Sequence, residues 1–190
     1  MTVRNVLKMG DARLYQKSVP VADFNSPELA ELIDDMLDTM QARDGVGIAA
    51  PQIGVFQRVI VMGFEKNPRY PTFKPVPLTT LINLQWEALS DEKVFAWEGC
   101  LSVPGVRAII PRYRKIRYSA YDLKGNKTTV EAEGAIARII QHECDHIDGI
   151  LFPQRVIDIR HLAVESEVMH YIEEGIVPEN LLQIAKKKND

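Results

Sequence analysis

The segment "GAIARIIQHECDHIDG", residues 134–149, constrains the fold more tightly than any other part of the chain. It reads as a helix closed by Gly149. On a helix, positions four apart share a face and lie about 6 Å apart along the axis. His142 and His146 therefore turn their imidazoles toward one point, where a metal ion can sit. Glu143 leans over the same edge, within reach of a metal-bound water. The result is an H-E-x-x-H pattern: two ligands and a general base. Three fixed positions in five also arise by chance, so the helical context carries much of the weight.

Two histidines do not complete a catalytic site, which takes three protein ligands and keeps one position open. An extended pattern with a third histidine is excluded, because position 152 is Phe. Cys144 sits two residues from each histidine and points to the other side of the helix, where it packs as a small apolar group. Glu165 and Glu167, on the next expected helix, are candidates, and so is Cys100 in "WEGCLSVPG". A lone cysteine is more often a half-buried structural thiol, but a histidine pair lacking a ligand turns that balance. A thiolate suits iron(II), zinc or cobalt(II), and the bound ion keeps it deprotonated.

Other segments supply the frame. "NSPELAELIDDMLDTMQARDG" forms an amphipathic helix, with Ser26 as N-cap, Pro27 at the first helical position, and Leu29, Ile33, Met36, Leu37 and Met40 in one stripe. Arg58 to Phe64 reads as a buried strand, followed by the proline-rich loop "EKNPRYPTFKPVP". Further strands are expected at "LTTLINLQWEAL" and "KVFAWEGCLSV", the extended run ending at Pro104 and Gly105. "RKIRYSAYDLKGNKTTVEAEG" fits a hairpin turning at "KGN". A third helix is expected over "IRHLAVESEVMHYIEEG", carrying His161 and His170 in solvated or core roles, and a short one in "ENLLQIAKKKND". Helices and antiparallel strands mix without βαβ rhythm, so the class is α+β. A chain of 190 residues is expected to form one domain, 1–190.

A net charge of −3 argues against a general nucleic-acid binder, which needs a basic face. No apolar run approaches the roughly 20 residues of a membrane-spanning helix. The start lacks a signal-peptide core, so a cytoplasmic protein is expected. There, Cys100 and Cys144 serve in ligation or burial rather than as a disulfide.

"DGVGIAAPQIG" lacks the G-K-[ST] of a phosphate loop. Its small residues suit a backbone passing close to a ligand or another segment. Gln52 is the polar side chain among Val46, Ile48, Ala49, Ala50, Pro51 and Ile53. A buried amide there is a structural hydrogen-bonder or a donor aimed at a developing oxyanion.

Taken in order, "GVGIAAPQ", "EGCLS" and "QHECDH" resemble the three motifs of the peptide deformylases, G-x-G-x-A-A-x-Q, E-G-C-L-S and H-E-x-D-H, at every fixed position. The similarity runs from the first helix to about Phe152 and includes "IPRY" and "AEG". The resemblance implies antiparallel sheets packed around a central metal-binding helix, with additional N- and C-terminal helices. It implies a hydrolase that removes the formyl group from N-formylmethionyl nascent chains and releases formate. Cys100, His142 and His146 are then the metal ligands, Glu143 the base acting on a metal-bound water, and Gln52 with the Leu101 N–H the oxyanion donors. One divalent ion per chain is implied, Fe2+ in the cell, with Zn2+, Ni2+ or Co2+ accommodated in purified protein. Gly45, Val46 and Gly47 are expected to pair with the substrate backbone. Glu98 and Gly99 also fall in the substrate site. Ala135, Arg138 and Ile139 share the face of His142; Ile139, with Val46 and Ile48, is expected to help line a methionine pocket, the Arg138 head reaching solvent or a carboxylate. Asp145, if buried, needs a cation, for which Arg112 is the candidate. Residues 153–190 form the variable C-terminal helical segment of the family. Its Lys186 to Lys188 form a solvated tail or, as in some members, a transient ribosome contact; no nucleic-acid recognition and no membrane partner is expected.

Overall fold

Helix α1 (Pro27–Gln41) begins at the expected cap: the Ser26 hydroxyl accepts from Leu29 N at 3.1 Å, and Pro27 occupies the first turn. In the computed structural model, residues 2–68 and 74–186 are described. Residues 69–73 of the proline-rich stretch, and Lys187 and Lys188 of the basic tail, lie outside the described residues. After α1 come β1 (Gly47–Ala49), β2 (Val59–Phe64), β3 (Val76–Ala88), β4 (Lys93–Cys100), β5 (Val103–Tyr113), β6 (Lys115–Tyr121) and β7 (Lys127–Glu133). Then follow α2 (Gly134–Ile147), β8 (Leu162–Val164), α3 (Glu165–Glu174) and α4 (Glu179–Lys186).

The strands form two antiparallel sheets, one in the order β1-β2-β3-β6-β7 and one in the order β4-β5-β8. The larger sheet is covered on both faces. Val59 and Val61 turn toward Leu29, Ile33, Met36 and Met40 of α1, while Ile60 and Met62 turn toward Ala137, Ile140, Cys144 and Ile147 of α2. A strand buried on both sides reads as an unbroken apolar run, which is why "VIVM" shows no alternation. Each such side chain, fully buried, contributes about 1.5–3 kcal/mol against the entropy of ordering the chain. Helix α2 touches β1, β2, β3, β6 and β7 of the larger sheet and β5 of the smaller, so the class is α+β with the histidine helix between the sheets.

Gly149 ends α2 for two reasons. Its φ is +75°, and a Cβ there would lie 2.6 Å from the Tyr15 carbonyl oxygen.

Three boundaries differ from the sequence reading. Strand β3 starts at Val76, inside the stretch read as loop. The chain turns at Leu101 and Ser102, with Cys100 opposite Val103, and β5 then runs through Pro104 and Gly105 rather than ending there. Proline is tolerated because β8 pairs only with Val106 to Ala108, which leaves Pro104 without a ladder partner on that side. The expected helix from Ile159 is broken up. Ile159–His161 is a 3-10 turn capped by Asp158, Leu162–Val164 is an edge strand on β5, and α3 starts at Glu165. The open edge of β5 supplies the backbone partners that outweigh helix propensity there. His161 is buried and its Nε2 donates to the Leu181 carbonyl at 3.0 Å, whereas His170 is exposed.

Candidate metal centre and substrate cleft

Two elements bring the three candidate ligands together: the end of β4 carries Cys100, and α2 carries His142 and His146. Cys100 Sγ lies 3.1 Å from His146 Nε2, and one donor atom from each of the three residues falls within 4.8 Å of the others. Tetrahedral metal–nitrogen and metal–sulfur bonds place donors about 3.4–3.8 Å apart, so one ion fits the set with small side-chain adjustments. Burial pushes the Cys100 thiol up, but His146 and His142 beside it outweigh burial and hold it well below the usual thiol range. A lowered thiol favours the thiolate, the form that binds metal.

A second layer fixes the rings. His142 Nδ1 donates to Glu98 Oε2 at 2.9 Å, which fixes the orientation of the ring. Phe152 stacks on the other side of that ring at 6.1 Å between centroids. Glu98 is buried and is gripped by Arg112 through two bonds of 2.9 Å and by Arg138 at 2.7 Å. Arg112 also bonds Asp145 at 2.6 Å, and Arg155 meets the same carboxylate at 2.7 Å, so the cation expected for Asp145 is in place. Burial pushes the Glu98 carboxyl up, yet Arg112 and His142 hold it well below the usual carboxylate range. Removing one partner from such a buried pair leaves an uncompensated charge, typically at about 3–5 kcal/mol.

Gly45, Val46, Gly47, Gln52, Glu98, Gly99, Cys100, Leu101, Ile139, His142 and Glu143 line one cleft, with His146 buried beneath it. Ile48 is not among them. It is fully buried against Leu29, Ile33 and Met36, because successive residues of β1 face opposite sides and Gly47 and Ala49 take the side of α2. Glu98 borders the cleft, with its carboxylate committed to Arg112, Arg138 and His142. Gly47 is needed where it stands, since a Cβ would lie 2.6 Å from Glu143 Oε1. A Cβ at Gly99 would likewise run into the Arg107 guanidinium.

Gln52 is buried in a 3-10 turn, Ala50–Ile53. Its Oε1 accepts from Ala49 N at 2.8 Å, and its Nε2 reaches Ser102 Oγ at 3.2 Å and Cys100 Sγ at 3.5 Å. The oxygen is thus used for structure and the amide donors face the thiolate. Burial pushes the Glu143 carboxyl up to about 7 against the opposing pull of His142 and His146. Among the described residues, Glu143 Oε2 has no hydrogen-bond partner. Glu165, the rival third ligand, is ion-paired with Arg107, on the far side of Gly99.

Sequence reasoning gave no role to Trp97 and Ser102. Trp97 lines the cleft, and its indole Nε1 donates to the Ile176 carbonyl at 3.1 Å. Its place one residue before the "EGCLS" motif was the available signal.

The polypeptide deformylase model matches residues 3–161. Peptide deformylase 2 of Ralstonia nicotianae is 54% identical over 156 residues, covering 82% of this chain and 88% of that protein. The chain belongs to the polypeptide deformylase family. Peptide deformylase 1 of Bordetella pertussis is also 54% identical, over 157 residues, 83% of this chain and 89% of that protein. Among solved structures, the Met-Ala-Ser complex of the class I type b peptide deformylase from Acinetobacter baumannii superposes with a TM-score of 0.78 at 38% identity. It covers 82% of this chain and 99% of that one. The peptide deformylase of Thermotoga maritima reaches a TM-score of 0.72 at 34% identity, over 83% of this chain and 100% of that one. As a deformylase, the chain is a hydrolase that removes the formyl group from N-formylmethionyl nascent polypeptides. The family is metal-dependent, and Cys100, His142 and His146 offer the matching donor set. Among the described residues, no helix is long and apolar enough to cross a membrane. The family match ends at residue 161, so β8, α3 and α4 lie beyond it.

Proposed function

We propose that deformylation runs on six residues in and beneath this cleft: Cys100, His142 and His146 holding one divalent ion, Glu143 as the proton carrier, and Gln52 and the Leu101 N–H as oxyanion donors. The observation that carries this reading is the buried Glu143 carboxylate. Its Oε2 is unpartnered among the described residues, and it borders the same cleft as the Cys100 thiolate. A base pushed up to about 7 is poised to take and return a proton near neutral pH.

The steps follow from these positions. The formyl group enters the cleft with its oxygen toward Gln52 Nε2 and Leu101 N. Glu143 takes a proton from the attacking water as the new carbon–oxygen bond forms. Charge grows on the formyl oxygen, and each fixed donor aimed at it contributes about 3 kcal/mol. Glu143 then passes its proton to the amine nitrogen, the carbon–nitrogen bond breaks, and formate leaves. A divalent ion held by the three ligands supplies Lewis acidity, which acidifies water and polarises a carbonyl. The donor set of one thiolate and two imidazoles suits Fe2+ in the cell, with Zn2+, Ni2+ or Co2+ accepted in purified protein. Gly45 to Gly47 pair with the substrate backbone. Val46 and Ile139, with the Arg138 stem, receive the methionine side chain. The cytoplasm, where nascent chains emerge, is the matching compartment.

Anaerobic purification with elemental analysis, run beside a formate-release assay on formyl-Met-Ala-Ser, tests the whole reading. One iron per chain and stoichiometric formate are expected; absence of formate from metal-loaded protein would overturn it, and full activity in iron-free protein would overturn the choice of ion. For the oxyanion donor, Gln52→Leu is expected to lower kcat by about 10²–10³-fold, with metal content unchanged. A loss under threefold would remove Gln52 from that role.

A further inference from the structure

We propose that Lys8 is a positioning residue that tunes the Cys100 sulfur through the peptide group joining Leu101 to Ser102. Lys8 Nζ donates to the Leu101 carbonyl oxygen at 2.6 Å. At the other end of the same peptide unit, Ser102 N donates to Cys100 Sγ at 3.3 Å. An ammonium thus sits on the carbonyl of one amide whose N–H rests on the thiolate. Hydrogen bonds in series polarise one another, so the cation strengthens the N–H···S contact. Ser102 is fully buried and Cys100 nearly so, which shields the N–H···S end of the relay from solvent, while the Lys8 end is exposed.

Lys8 differs from an ordinary surface lysine because its backbone is clamped on both sides. Leu7 N donates to the Gln52 carbonyl at 2.8 Å, and Met9 N donates to the Ser102 carbonyl at 2.7 Å. The N-terminal segment therefore ties the Gln52 turn to the Cys100 turn, with the Lys8 side chain lying across the second. Burial and the Arg43 guanidinium draw the Lys8 ammonium down, and the Cys100 sulfur acts on it through space in the opposite sense.

This role rests on the reading of Cys100 as a metal ligand. A polarised N–H on the sulfur withdraws density from it, weakens its donation to an ion, and leaves that ion a stronger Lewis acid. The test uses full-length protein loaded with Co2+ alone and reads the sulfur-to-cobalt charge-transfer absorption. Lys8→Met is expected to shift that band to longer wavelength and to lower kcat for formyl-Met-Ala-Ser, with KM little changed. Lys8→Arg, which keeps a cationic donor, is expected to restore both. An unshifted band in Lys8→Met, or the same shift in Lys8→Arg, overturns the proposal. Absence of any sulfur band in the unmodified protein would instead remove Cys100 as a ligand, and the role of Lys8 with it.

Discussion

Glu143→Gln is expected to bind its metal at one ion per chain and to lose about 10²–10⁴-fold in kcat for formate release. The amide has the shape of the carboxylate but cannot accept the water proton or return it to the leaving amine. Because the side chain is not among the three ligands, elemental analysis should read the same for variant and parent. Stability supplies an independent check. Burial raises the Glu143 carboxyl from 4.5 to about 7, so the folded chain holds that proton more tightly than the unfolded one. The contribution of this group is fully present below pH 4.5 and is lost as pH rises to about 7, where an ionised carboxylate has to be buried. Metal-free Glu143→Gln should therefore melt no lower than the metal-free parent at pH 8. Turnover within tenfold of the parent would take the base role away from Glu143.

Cys100→Ala is expected to abolish stoichiometric metal binding and, with it, formate release. The two remaining imidazoles leave an ion two protein ligands where catalytic sites use three. The matched control is Glu165→Ala. Its carboxylate belongs to the ion pair with buried Arg107, so this variant should keep its metal and be less stable, losing an ion pair between α3 and β5. Retention of metal by Cys100→Ala together with loss in Glu165→Ala would reverse the ligand assignment.

Much of the site could be read from the chain before any coordinates. The 3.6-residue repeat of a helix is local, so the spacing of His142 and His146 already set them on one face with Glu143 at its edge. Capping is equally local, which is why Ser26 and Gly149 marked their helix ends correctly. Other features depend on what lies across from a strand. Val46 and Ile48 look alike in sequence, yet the first lines the cleft and the second is buried beneath α1. Glu98 reads as a polar residue beside a ligand; only the arrival of Arg112 and His142 makes it the anchor of an imidazole. The stretch from Leu162 to Val164 falls within an expected helix, and the free edge of β5 makes it a strand.

The sequence by itself determined the donor types, the helix that presents two of them, and the three motifs that mark a deformylase, since each depends on residues close together along the chain. Only the tertiary structure decided how near the Cys100 sulfur comes to those imidazoles, which carboxylate stands behind them, and that Lys8 reaches a peptide group 93 residues away. The first two contacts arise where β4 meets α2, and the third where the N-terminal segment crosses the turn after β4. Their partners are chosen by packing between distant segments, and no short window of sequence contains both sides of such a contact.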